Sequence, residues 1–94
     1  MTEIELFINK FHGSEEVFTS GCCYWFSKIL KTRFKTGEIM YNPVEGHFAY
    51  RDNGRVYDVT GEIDSVRYEV WKSFCLREPI EARRIKKYCI EMDR

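Results

Sequence analysis

The 94-residue chain lacks any net charge, with fifteen basic residues set against fifteen acidic ones. Nothing therefore draws it as a whole toward nucleic acid or an anionic membrane. It lacks an apolar run of membrane-spanning length, and its start, Met1-Thr2-Glu3-Ile4-Glu5, has neither the basic residues nor the apolar core of a signal peptide, so the expectation is a cytoplasmic protein with no membrane partner. Cys-x-x-Cys and His-x-x-x-His spacings are missing too, which excludes the common zinc knuckles, and no metal or organic cofactor is expected. The four cysteines, at 22, 23, 75 and 89, are even in number. A reducing cytosol and the adjacency of Cys22 and Cys23 nevertheless argue against a disulfide framework. No internal repeat or low-complexity tract interrupts the chain.

What is present suffices for a packed core. The chain is 44% hydrophobic and carries seven Phe, six Tyr and two Trp, which points to one globular domain over residues 1–94 and excludes disorder. Thr2 and Glu5 form a capping box, and Ile4, Leu6-Phe7-Ile8 and Phe11 give a helical stripe, predicting a first helix from about Glu3 to Phe11 that His12-Gly13-Ser14 ends. Ser20 is placed to cap a second helix carrying Cys22-Cys23-Tyr24-Trp25-Phe26, Ile29, Leu30 and Phe34 and stopping near Lys35-Thr36-Gly37. Its apolar residues wrap most of its circumference, as a central buried helix requires. Glu38 to Asn42 alternates as a strand, and Asn53-Gly54 between Phe48-Ala49-Tyr50-Arg51 and Arg55-Val56-Tyr57-Asp58-Val59 is a strong hairpin signal. After Gly61 the spacing of Tyr68, Trp71 and Phe74-Cys75 predicts a helix. Pro79 opens a last one, with Ile80, Ile85, Tyr88 and Cys89 inward. The expected fold is α+β: the helix carrying Cys23 packed on a small antiparallel sheet of about three strands, flanked by terminal helices.

The hairpin has a chemical consequence. With Asn53 and Gly54 as the two loop residues, Asp52 faces Arg55, Tyr50 faces Tyr57 and Phe48 faces Val59, all on one apolar side. His47, Ala49 and Arg51 then share the other side with Thr60, Asp58 and Val56. His47 and Asp58 become diagonal neighbours with β-carbons about 7 Å apart, close enough for an imidazole–carboxylate hydrogen bond over the small Ala49 side chain. A slip of one residue would destroy this arrangement.

A nucleophile is available on the second helix, whose first-turn amides and positive dipole end favour a thiolate. Cys23 shares a helix face with Phe26, Ser27 and Leu30, and Cys22 shares one with Trp25, Phe26 and Ile29. Geometry alone leaves the two cysteines open. A thiolate, an imidazole to ionise it and a carboxylate to orient the imidazole are the parts that cysteine acyl transfer needs.

Gly21-Cys22-Cys23-Tyr24-Trp25-Phe26-Ser27 resembles the nucleophile motif of papain, Gly-x-Cys-Trp-Ala-Phe-Ser, and so nominates Cys23 over Cys22. His47 through Asp58 resembles the transglutaminase-like pattern of His, strand, Asp-Gly-type turn, strand and Asp. The stretch from Ser20 to Gly61 is thus similar to the papain-like superfamily in its broad sense, including transglutaminase-like and NlpC/P60-like enzymes. The chain also resembles small proteins of phage and prophage type. The first resemblance implies a minimal domain with a Cys23, His47, Asp58 triad. It departs from the papain pattern in one respect: the chain contains no glutamine, so the usual oxyanion donor upstream of the cysteine is missing. Thr19 or Ser20, beside Cys22 and with the Cys23 backbone amide, are the substitutes that the sequence offers.

Each of these residues also has a structural reading. Free cysteine is commonly a small core hydrophobe, Asp58 before Thr60-Gly61 suits a turn cap, and His47 suits an exposed strand start. Trp25, Trp71, Phe74 and Tyr88 read as core, Cys75 and Cys89 as buried and inert. Arg83-Arg84-Lys86-Lys87 reads as a solvated helix face. Taken together, the expectation is a small cysteine hydrolase or transferase acting on an amide or thioester of a protein or peptide. The alternative is a non-enzymatic interaction module on the same scaffold, such as a phage-encoded inhibitor of a host defence protein. Nucleic-acid binding ranks below both.

Overall fold

A computed structural model describes residues 2–11 and 23–87. Helix α1 (Glu3–Asn9) starts on the expected capping box: Glu5 N–H donates to Thr2 Oγ1 at 3.2 Å and Thr2 N–H donates to Glu5 Oε1 at 2.9 Å. It ends two residues before Phe11, whose ring still packs edge-on against Phe7 and Phe26. Helix α2 (Cys23–Phe34) is followed by strands β1 (Glu38–Asn42), β2 (His47–Asp52), β3 (Arg55–Asp58), β4 (Gly61–Ile63) and β5 (Glu69–Val70), then helices α3 (Trp71–Arg77) and α4 (Pro79–Lys86). Among the described residues no helix is long and apolar enough to cross a membrane.

The five strands form one antiparallel sheet in the order β4-β3-β2-β1-β5. Residues Asn53 and Gly54 both take positive φ, 55° and 78°, as a two-residue hairpin turn demands. The resulting register pairs Asp52 with Arg55 and Tyr50 with Tyr57. Helix α2 lies across β2, and the core divides in two along it. Phe26 and Leu30 pack with Ile4, Ile8, Tyr50, Tyr57 and Val59, while Cys23 joins Tyr41, Phe48, Trp71, Phe74 and Ala82. The fold class is therefore α+β with the Cys23 helix on the sheet.

The sheet is wider than the pairing signals of the sequence indicate, and the extra width comes from the segment expected to be helical after Gly61. That segment is a three-residue strand, a loop over residues 64–68 and a two-residue strand. Gly61, at φ 115°, turns the chain back beside β3, and Arg67, at φ 71°, holds a left-handed conformation that a helix cannot contain. Trp71 and Phe74 do share the buried face of α3; Tyr68 lies before that helix, not in it. Pro79 opens α4 as expected, but Ile80 is 78% exposed and Ala82 is the residue buried there. Cys75 is half-buried at the rim of the second cluster; Tyr88 and Cys89 lie outside the described residues.

Gly37 is fixed by close approach. A β-carbon there would sit 2.0 Å from the Arg51 carbonyl oxygen and 2.6 Å from Tyr50 Cζ. Its N–H also donates to the buried Tyr50 hydroxyl at 2.8 Å, so the segment cannot back away without breaking that bond. Gly37→Ala is expected to lose on the order of 3 kcal/mol of stability, read as a fall in the urea midpoint. A variant as stable as the wild type would show that the α2–β1 connection adapts freely.

Candidate active site

Three side chains meet where β2 begins, β3 ends and α2 starts. His47 is the first residue of β2, Asp58 the last of β3 and Cys23 the first of α2. His47 Nε2 lies 2.9 Å from Asp58 Oδ2, which leaves Nδ1 as the ring nitrogen available to the Cys23 thiol. The other oxygen of Asp58 accepts the Thr60 N–H at 2.8 Å and the Thr60 hydroxyl. The turn-cap and imidazole-holding readings of Asp58 thus coexist, one on each oxygen.

The ladder between β2 and β3 stops at Tyr50 and Tyr57, so Phe48 and Val59 do not pair as the extended register expects. Val59 leaves the strand for the turn into β4 and packs in the core. The Phe48 N–H lies beyond the ladder and donates instead to Cys23 Sγ at 3.4 Å. Ser27, one helical turn on from the cysteine, donates its hydroxyl to the Cys23 carbonyl at 3.0 Å.

These contacts set the ionisation of the cluster. Burial pushes the Cys23 thiol up, but hydrogen bonds from His47 and the Phe48 N–H outweigh it, and the net effect holds the thiol below its ordinary value. The Asp58 hydrogen bond, helped by Cys23, raises His47 to about 9. Burial pushes Asp58 up as well, and the bonds from His47 and Thr60 more than offset it. Together they favour a thiolate–imidazolium pair braced by a carboxylate. Among the described residues no group of three or more His, Cys, Asp or Glu could hold a metal ion.

His47 and Asp58 open onto a cleft of about 580 Å³ that is also lined by Asn42, Glu45, Arg67 and Tyr68. The loop over residues 64–68 runs from β4 at one sheet edge to β5 at the other and forms one wall of it. The sulfur is nearly covered, with Cys23 7% exposed. Thr19, Ser20 and Cys22, the supporting residues nominated from sequence, lie outside the described residues.

Two participants carry no clear sequence signal. Asn42, 3% exposed, stands opposite His47 in the β1–β2 register and accepts the Val44 and Glu45 N–H groups on Oδ1 at 3.0 and 3.1 Å. Its place just before Pro43 does suit such a turn. Tyr68 reaches His47 only because of a loop path that no local pattern announces.

The molecule so described is a small α+β domain with a Cys-His-Asp cluster at the ends of two interior strands of its sheet. The model for phage YunG-like proteins matches residues 2–91, and the chain belongs to that family, in keeping with the phage-type character of its sequence. No curated protein and no solved structure matches it.

Proposed function

We propose that this protein is a small cysteine hydrolase or transferase acting on amide or thioester bonds of a protein or peptide, a minimal member of the papain-like class. The observation that carries the reading is the convergence of Cys23, His47 and Asp58 from three separate elements, with Nε2 of the imidazole engaged by the carboxylate. Cys23 attacks the carbonyl carbon as the thiolate. His47 Nδ1 then delivers its proton to the leaving group, and in the second half-reaction takes one from water or an acceptor nucleophile. Asp58 keeps the ring in one tautomer and stabilises its charge.

A panel of peptidyl thioesters and anilides offered to wild type and Cys23→Ala tests this. Release of thiol or aniline by wild type and its loss in the variant are expected. Equal turnover by both would remove the hydrolase reading.

The interaction-module alternative has one observation in its favour. Trp25 and Ile29 floor a groove of about 620 Å³ on α2 that is rimmed by Lys28, Arg33 and Lys35. A protein inhibitor of host defence would use such a face and would leave every substrate in the panel untouched.

A further inference from the structure

The chain contains no glutamine, yet an acyl-transfer site needs a donor aimed at the oxygen on which charge develops. Tyr68 is the group in the cleft with the right chemistry. Its ring meets His47 edge to face, with centroids 6.3 Å apart and planes at 78°. The loop that delivers it is built tightly: Asp64 Oδ1 accepts the Val66 N–H at 3.0 Å, Tyr68 N–H reaches the Ser65 carbonyl at 3.2 Å, and Arg67 between them is left-handed. A non-glycine residue in that region marks backbone held in place by its surroundings.

Asn42 lies on the same cleft as the phenol. Its Oδ1 is committed to two backbone N–H groups, so its amide nitrogen is what Asn42 can offer the phenol in the cleft that both residues line. A phenol oxygen that accepts from that amide keeps its own O–H to donate, and Tyr68 lines the cleft together with His47 and Asp58. Asp58, Glu45 and Cys23 all bear on the phenol as negative charges. With burial as the largest cause they push its ionisation up to about 12, so it stays a donor at any working pH. Arg67 and the protonated His47 line the same cleft, and Glu45, Asp58 and Asp64 beside them disfavour an anionic ligand there.

We propose that the Tyr68 hydroxyl, on the cleft beside Asn42, is the side-chain oxyanion donor of this site, binding the carbonyl oxygen of a neutral acyl substrate. The inference rests on the acyl-transfer reading above. The Cys23 thiolate forms a bond to the carbonyl carbon, the π pair of the carbonyl moves onto oxygen, and that oxyanion accepts the Tyr68 O–H. Collapse restores the carbonyl and breaks the bond to the leaving group, which takes the proton from His47 unless it departs as a stable anion.

Two reagents separate this from thiolate formation. p-Nitrophenyl acetate acylates Cys23 through an oxyanion and releases p-nitrophenolate. Iodoacetamide alkylates the same sulfur by displacing iodide and needs no oxyanion donor. Tyr68→Phe keeps the ring against His47 and removes only the hydroxyl. It is expected to slow acetylation about 100- to 1000-fold, the range for loss of one oxyanion donor, while alkylation stays within about twofold of wild type. Unchanged acetylation would overturn the inference, as would an equal fall in both rates, which would place Tyr68 behind the Cys23–His47 pair. A wild type that is alkylated with His47 dependence but takes no acetyl group also overturns it, and leaves the thiolate pair standing. Alkylation that ignores His47→Ala would instead remove the acyl-transfer reading itself.

Discussion

His47→Ala is expected to slow the alkylation of Cys23 by iodoacetamide about 10-fold or more near pH 7, with the gap closing as pH rises. An ordinary thiol is only a few per cent thiolate at neutral pH, and a depressed value raises that fraction, partly offset because a less basic thiolate is a weaker nucleophile. In the wild type the hydrogen bond from His47 and the Phe48 N–H hold Cys23 low against burial. Remove the imidazole and burial meets only the weaker backbone bonds, so the ionisation moves back up. The wild-type rate should therefore persist well below the ordinary thiol range and fall only on the acid side. The variant should show its ionisation at or above the ordinary value, and the two profiles should meet in alkali, where both sulfurs are ionised. Rate profiles that superimpose from pH 5 to 10 would dismiss the ion pair.

The same groups link folding stability to pH with opposite signs. His47 is raised from 6.5 to about 9, so its contribution is complete below 6.5 and lost as pH climbs through about 9. Asp58 is lowered, so its contribution is present above its unfolded value and lost as pH falls through the depressed one. The cluster stabilises the fold most between those limits.

The parts of this arrangement that sequence makes legible are local or follow from local rules. The Thr2–Glu5 capping box needs only four residues, and Asn53-Gly54 fixes a turn whose register then sets the pairs Tyr50 with Tyr57 and Asp52 with Arg55. From that register the facing of His47 and Asp58 follows by counting. Local pattern misleads where long-range contacts decide. Strands β4 and β5, three and two residues long, are too short to show period-two alternation and exist because Asp58, Met40 and Tyr41 offer them edges to pair with. The spacing of Tyr68, Trp71 and Phe74 mimics a helix because Trp71 and Phe74 are truly on one; the left-handed Arg67 detaches Tyr68 and sends it to His47. Likewise, nothing local announces that β3 stops at Asp58. That stop frees the Phe48 N–H for the sulfur and turns a routine ladder into part of the site.

Phe48 joins the site to the core, and Phe48→Ala is expected to lose about 3 to 5 kcal/mol, the usual toll of emptying an aromatic core position. The side chain is fully buried, and its ring centroid lies 4.8 Å from those of Tyr41 and Trp71 and 5.1 Å from that of Tyr24, so α2, β1 and α3 all lean on it. A small domain has roughly 5 to 15 kcal/mol in total, so the variant should show a sharply lower urea midpoint and reach its folded state only in the cold. Phe48→Leu, which keeps most of the volume, should lose far less. Backbone and side chain can be told apart at this residue because alanine retains the N–H that Cys23 accepts. In the cold, folded Phe48→Ala should therefore keep an acid-shifted Cys23 alkylation profile, while His47→Ala loses it at any temperature. A Phe48→Ala midpoint within about 1 kcal/mol of wild type would mean that the three elements do not depend on this ring, contrary to its burial.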